Sequence, residues 1–556
     1  MRGTNSTSGP LLFALAASSA LGATGACVLP GYDVTSSSGG DAGGDTTTST
    51  GGAGGATTTP TDTTGGSGGT GATTSTGTTG GGGAGGAGGA GGTTTSSTSS
   101  STTVCVECPQ WAIGFGSSEV DVPHAVAVDP VGAIAVVGEI HGEASLTQQI
   151  TLTWKGLADG FLVRATGSGT VVAGKSFAGD ASGGNNQVVR DVIYTASGVI
   201  VAGEFVGTLQ LDGVTTLVNA AGGAGLGTDG FVARYNLDGT LAWHLQLGGS
   251  NNDTVRRIAL DPAGNVVVAG MYTGNSTIAG VPLDSFAGGT NGFVLKVDGA
   301  GMLLAPSVFP VRSWGSPDDD LVTGLAVGPQ GEVFVAGHHT KTLGFDDGSV
   351  ATLANPSTTT PDGYLIRLGP AGEYTLAKPL GGAGSQRVFG LVTDGAGAVF
   401  VAGIFDGTLA LGSAMLTDAG AGPDIFVARL DASGTAIWAA QGVDAGSAPP
   451  LALALSKEGG PVVAGGFTGT TALFGPTAVT AAGTDAFVVL LDAGGNVVKR
   501  HVYSHPDDQR ASAVAVDGSS GAIVVAGENT GTVDFGVGIP VVSSGGSDIL
   551  LFRIEP

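Results

Sequence analysis

Short apolar runs alternate with polar turn formers along most of this chain, and one ten-residue unit sets the rhythm. Asp261 to Gly270 reads DPAGNVVVAG, a turn followed by a strand. Pro presets φ, Gly accepts positive φ, and the Val run is β-branched and apolar. A run that is apolar at successive positions predicts a strand covered on both faces. The closing Gly recurs at Gly138, Gly203, Gly270, Gly337, Gly403, Gly465 and Gly527, at spacings of 65, 67, 67, 66, 62 and 62 residues. Seven units of near-constant length define a repeat architecture.

Each repeat carries four apolar segments, A to D. In the third repeat the pattern predicts A at Arg257 to Leu260, B at Val266 to Gly270, C at Phe293 to Val297 and D at Met302 to Phe309. The last repeat has A at Ala513 to Val516, B at Ile523 to Gly527 and C at Ile549 to Ile554, and no D segment follows. A matching D segment stands at the front, Gln110 to Phe115 (QWAIGF), which pairs in pattern with Leu241 to His244 and Ala436 to Ala439. A blade built from both ends closes a ring and leaves no free edge. The expectation is an all-β, seven-bladed β-propeller of four-stranded blades over residues 105–556, a single domain because no blade buries both faces alone. Ala127, Ala259, Ala326, Ala454 and Ala515 form a small column on strand A beside the larger Val126, Ile258, Leu325, Leu453 and Val514, as crowding near an axis demands. Asp191 and Arg257, at equivalent positions of consecutive repeats, form a candidate structural pair.

Asp229 to Trp243 and Asp424 to Trp438 carry the clearest copies of a longer motif: Asp-x-Phe-Val-Ala-Arg, then Gly and Trp. With the VAG strand, this motif resembles the bacterial seven-bladed β-propeller repeat family, the SBBP repeats. The resemblance implies the propeller fold and a secreted or surface lipoprotein, and it brings no catalytic residues.

Residues 1–27 have the build of an export signal: Arg2, a short apolar core from Leu11 to Leu21, then small residues. Thr24 to Cys27 resembles a lipobox, with Thr where Leu is usual, and Cys27 is the expected lipidation site against plain cleavage nearby. Residues 28–104 are Gly, Ser, Thr and Ala almost throughout and lack the apolar side chains that offset chain entropy, so a disordered tether is expected. At roughly 70 residues its average span is on the order of 45 Å. Nucleophile-elbow and dinucleotide-loop spacings at Gly65 to Gly69 and Gly81 to Gly86 arise from composition and lack the strand and helix they require. Cys105 and Cys108 are expected to form a local disulfide in an oxidising compartment, since no helix, haem-binding His or further zinc ligands accompany them.

The formal net charge of −25 argues against nucleic acid as a partner and against an anionic membrane surface, leaving contact with a membrane only through a lipid anchor. A cell-surface or outer-membrane lipoprotein, otherwise a secreted protein, acting as a monomer, is the expectation. The AB and CD connections are short, whereas the BC connections reach roughly 20 residues and share a face with the DA connections, so that face is where binding is expected. Polar residues gather on it: Glu119, Asp121, His124; Asn185, Asn186; Asn251, Asn252, Asp253; Asp318, Asp319, Asp320; His505, Asp507, Asp508. Glu139, Glu204 and Glu528 follow strand B in blades that become neighbours when the ring closes. From these, Glu139, Glu204, Glu528, His124, Asp253, Asp319, Asp320, His505, Asp507 and Asp508 are the candidate binding residues. Such a ring suits sugar hydroxyls or a hard cation, calcium being the one cofactor it brings into view, although no D-x-D-x-D-G loop is present. The Asp before strand C, at Asp159, Asp229, Asp362, Asp424, Asp485 and Asp548 with Asn291 in the remaining blade, is expected to cap a turn. His501 and His505 on a strand are too far apart for a zinc motif, and His338-His339 is expected in a surface loop. The functional expectation is a tethered binding or scaffold propeller recognising a glycan, peptide or protein, with no catalytic residue evident. The alternative is a calcium- or zinc-dependent hydrolase or lyase at the channel mouth.

Overall fold

The computed structural model describes residues 108–179, 185–220, 227–357, 359–420, 422–443, 451–535 and 540–556, together with the backbone of 27–28. The expected export signal and tether otherwise lie outside the described residues, as does Cys105. Among the described residues the chain folds into seven antiparallel blade sheets and five two-stranded hairpins, with no helix. Each blade sheet is built on a four-stranded meander in the order A-B-C-D, blade 3 adding Gly344–Phe345 outside its D strand, and in the seventh Trp111–Phe115 completes the blade against Asp548–Ile554. The ring therefore closes through both chain ends as the offset requires. The inner strands touch in sequence around the axis, the first against the last. The backbone of Cys27–Val28 pairs antiparallel with Val514 and Ala513 on the inner edge of blade 7.

The recurring Gly explains the blade. In blades 1 to 5 and 7 strand A carries a bulge opposite it, for example between Val255 and Arg257. The bulge drives a strand-A carbonyl into the space a side chain would need: a Cβ on Gly270 would lie 2.1 Å from Thr254 O, and one on Gly403 2.0 Å from Arg387 O. On the other side the Gly pairs directly with the aromatic residue of strand C, as Gly270 does with Phe293 and Gly403 with Phe426. The ring covers the bare backbone and restores the apolar area the Gly lacks.

The rest of the repeat motif binds one blade to the next. Trp111, Trp243 and Trp438 on D strands donate their indole N–H to Gly167 O, Gly299 O and Ala493 O, in the CD turns of the following blades, at 3.0, 3.0 and 2.8 Å. The strand-C Arg adds to the same latch: Arg553 donates to Gly167 O at 3.3 Å and pairs with Asp517 of its own AB turn at 2.9 Å. In this way the blade containing the N-terminal strand is held to blade 1 by the same chemistry that holds blade 2 to blade 3 and blade 5 to blade 6. On blade 7 the small strand-A column, Ala513 and Ala515, packs with blade 1, and Val514 and Val516 pack with blade 6. The alternation thus serves two blade interfaces rather than pointing small residues down the axis.

Two expectations change. The D strand of blade 3 is Arg312–Gly315, not Met302 to Phe309. Met302 closes a turn begun at Asp298, and Pro306 and Pro310 cannot donate to a ladder, so the edge resumes only at Arg312. The BC connections are also not free loops. In several blades they fold as a small hairpin, such as Thr408–Leu411 with Ala414–Thr417. Its first arm bonds to the preceding blade through Ala410 N to Gly381 O at 2.9 Å, and its second receives Gln441 Nε2 of its own D strand on Thr417 O at 2.8 Å. Leu409 and Leu411 are buried beneath it. These hairpins are clasps between blades, and they remove much of the BC sequence from the surface available to a ligand.

The Gly contact yields a direct test. Gly403→Ala should lower unfolding free energy by about 2 kcal/mol or more, because the obstacle is backbone and cannot rotate away. The same change at the open turn position Gly395, where an added Cβ meets nothing within 4 Å, should leave the urea midpoint nearly unchanged.

Candidate functional site

The bulge in strand A turns one residue per blade out of the sheet. These are His124, Arg190, Arg256, Thr323, Phe389 and Ser512, with Leu451 at the corresponding place in blade 6. Beside them stand the residues following the strand-B Gly: Glu139, Glu204, Met271, His338, Ile404, Gly466 and Glu528. Together they form an inner ring, in which Glu139, Glu204 and Glu528 meet the bulge residue of their own blade and His338 meets that of the next.

The ring is charged on one arc and apolar on the other. His124 Nε2 lies 3.4 Å from Glu139 Oε1 and 3.2 Å from Arg190, whose guanidinium donates to Glu204 Oε1 at 2.5 and 3.0 Å. Arg256 approaches the same Glu204 oxygen at 4.0 Å. In blade 7, Glu528 pairs with Arg510 at 2.7 Å and accepts from Ser512 at 3.1 Å. Across the ring stand Met271, Phe389, Ile404 and Leu451, and His338 meets Phe389 edge-on with ring centroids 6.4 Å apart.

Burial opposes every charge here, and the partners decide the outcome. Burial would raise Glu139, but the His124 hydrogen bond and the nearby Arg190 hold it at about 2. Glu204 is likewise held below the usual carboxylate range against burial by Arg190 and Arg256. Burial and Arg190 push the His124 imidazole down, while Glu139 and Glu204 pull it the other way. His338 is driven down to about 3 by burial and by Arg387. In the neighbouring column, Ala or Gly except for Asp191 and Arg257, Asp191 accepts the Ile258 amide of the next blade at 2.8 Å, and burial raises it to about 7 against the pull of Arg257. The expected Asp191–Arg257 interaction is therefore present.

The other candidate residues divide by position. Asp253 and Asp320 are fully buried at the head of strand A, a place also held by Asp121, Gln187, Gln386 and Gln509. Each closes its DA connection from inside: Asp253 accepts the Gly249 amide at 2.6 Å, Asp320 accepts the Ser316 amide and hydroxyl, and Gln386 Nε2 donates to Ala383 O at 2.9 Å. These two carboxylates are thus removed from any ligand-facing surface, because a loop closed over a buried cap needs the cap's oxygens itself. Asp319 and Asp508 are exposed, and each accepts the amide of the residue that precedes the strand-C Asn291 or Asp485, Thr290 at 2.9 Å and Thr484 at 2.7 Å. Asp507 accepts the Thr532 amide at 2.9 Å. His505 is partly exposed beside Cys108, which is disulfide-bonded. The ring thus unites Glu139, Glu204 and His124, with Glu528 further round, and leaves the Asp candidates and His505 in the connections. Among the described residues no three His, Cys, Asp or Glu gather as a metal-binding group. His338 and His339 are buried at the end of strand B rather than in a surface loop.

The Asp before strand C caps as expected: Asp424 accepts the Ala419 amide at 3.1 Å, and Asp548 that of Ser544 at 2.8 Å. Arg190 and Arg256 did not figure among the candidates. Their signal lay in the sequence, three residues before the small column of strand A, but only the bulge shows that this position leaves the sheet.

The SBBP beta-propeller repeat family matches residues 242–275, from the D strand of blade 2 past strand B of blade 3. The chain is thus a seven-bladed β-propeller carrying an SBBP repeat. No curated protein matches it. Among solved structures, regucalcin from Agrobacterium tumefaciens, titled a calcium-binding protein, is 12% identical with a TM-score of 0.26, covering 62% of this chain and 85% of its own. A mutant of the Synechocystis apocarotenoid oxygenase is 11% identical with a TM-score of 0.33, covering 80% and 93%. A luciferin-regenerating enzyme is 11% identical at 0.26, covering 69% and 91%.

Two outcomes follow from the buried charges. Arg190→Met should destabilise the fold by about 3 kcal/mol or more, since it strands Glu204 without its main partner, and Glu204→Gln added to it should recover part of the loss in urea unfolding. Burial raises Asp320 to about 8, so its folded form holds a proton that the unfolded chain releases near pH 4. That stability is complete below about pH 4 and is lost as pH rises through about 8. Buried His124 and His338 act oppositely, but only below about pH 6.5, where the unfolded chain takes up their protons. Between pH 6.5 and 9 the thermal midpoint should fall, and Asp320→Asn should flatten that fall.

Proposed function

We propose that this chain is a binding or scaffold propeller of the cell envelope, held there through an exported, lipid-anchored N-terminal segment, and that it recognises a glycan, peptide or protein on the face formed by its DA connections. The observation that carries the reading is the pre-organisation of that face. Buried Asp and Gln side chains at the head of strand A and Asp side chains before strand C tie the connections down from within. A surface fixed in this way loses little conformational entropy on binding. Exposed groups such as Asp319 and Asp508 are then presented on rigid turns.

Metal is not part of this reading, because Arg190 and Arg510 pair with Glu204 and Glu528, and Glu139 faces His124 with Arg190 nearby. The test is to apply the full-length protein to glycan and peptide arrays with EDTA present. Saturable binding to one chemical class that survives chelation is the expected result. Binding that appears only when calcium is restored would return the channel mouth to consideration as a metal site, and a blank on every array would end the recognition reading.

A further inference from the structure

Five tryptophans occur in the chain, and four are engaged by the fold. Trp111, Trp243 and Trp438 latch the next blade, and Trp314 is fully buried with its N–H 3.1 Å from Tyr364 Oη. The fifth, Trp154, is 42% exposed, and no partner for its indole N–H is found among the described residues. It lies in the BC connection of blade 1, five residues before the capping Asp159. The corresponding positions of blades 4 to 7 hold Ser357, Ala419, Thr480 and Ser543, so the repeat itself makes no demand for an aromatic ring there.

The loop that carries Trp154 is held firmly. Asp159 accepts the Lys155 amide at 2.5 Å, and the Leu157 amide donates to Asn185 O at 3.0 Å. Ala158 bridges in parallel to Asn186, which places an exposed side-chain amide beside the loop. Leu157 is 63% exposed and Lys155 is also exposed. The combination is an indole whose N–H has no partner among the described residues, an apolar neighbour and an amide that both donates and accepts, on a segment that need not rearrange.

From this we infer that the Trp154 loop is a glycan subsite: the indole face takes the C–H face of a neutral pyranose ring, and Asn186 reads its hydroxyls. This rests on the recognition function proposed above and names the ligand class for one place on that face. A ring stacked on indole contributes dispersion and apolar burial without charge, which suits a protein of net charge −25. Anionic lipid would be repelled by the same charge.

Intrinsic fluorescence of the full-length protein, titrated with chitohexaose and with cellohexaose, tests the assignment, because Trp154 is the most exposed indole. A saturable quench or blue shift with at least one sugar is expected in the wild type. Trp154→Ala should weaken binding about tenfold or more with the thermal midpoint unchanged, while Trp154→Phe, which keeps a stacking ring, should retain most of it. Undiminished array or sugar binding by Trp154→Ala would overturn this subsite and leave the wider recognition reading intact. A wild type that binds no glycan on the array and neither hexasaccharide overturns the subsite, and a blank on peptides as well ends the wider reading. A spectral shift with phosphatidylcholine vesicles and with neither sugar would make the loop a lipid contact and overturn the glycan assignment.

Discussion

The structure depends on one crowded contact, where the strand-B glycine meets the carbonyl of a bulged strand A on one side and an aromatic ring from strand C on the other. The missing Cβ lets the carbonyl approach, and the ring covers the backbone left bare. The bulge that causes the crowding also turns one side chain per blade out of the sheet. One local constraint, met in blade after blade, therefore sets both the shape of each blade and the composition of the inner ring.

That ring separates into two chemistries. Blades 7, 1 and 2 supply carboxylates beside Arg510, His124 and Arg190, whereas blades 3 to 6 supply mostly apolar groups, with Arg256, Thr323 and the neutral His338 among them. Removing Glu204 from water is costly, and Arg190 and Arg256 offset that cost only because two bulges place guanidinium groups around one carboxylate. Such a network stabilises a particular arrangement of blades 1 to 3 and leaves little unneutralised charge to attract a cation.

Outside the ring, the polar face is more ordered than its loop lengths suggest. Hairpins within the BC connections clasp adjacent blades and bury leucines, and capping side chains close the DA connections from below. What remains outward is a set of fixed turns carrying a few exposed groups. Recognition by shape and hydrogen bonding fits such a surface better than capture by a flexible loop.

The strand count, the order A-B-C-D, the turn residues and the closure by the N-terminal strand were all legible in the sequence, because spacing, apolar runs and turn chemistry are local properties that repetition amplifies. The cluster of Glu139, Glu204 and His124 was partly legible, since two of its members share a repeat position. The fate of its charges was not. Arg190 and Arg256 become partners of Glu204 only where three blades converge, and Asp253 and Asp320 look like ligands until the loop closes over them. Met302 lies at the repeat position of a D strand, yet two prolines and an intervening turn move the edge to Arg312. A strand's periodicity reports which face it buries. Which blade meets that face, and which buried charge finds a counter-charge there, depends on residues some 65 positions apart, and only the closed ring brings them together.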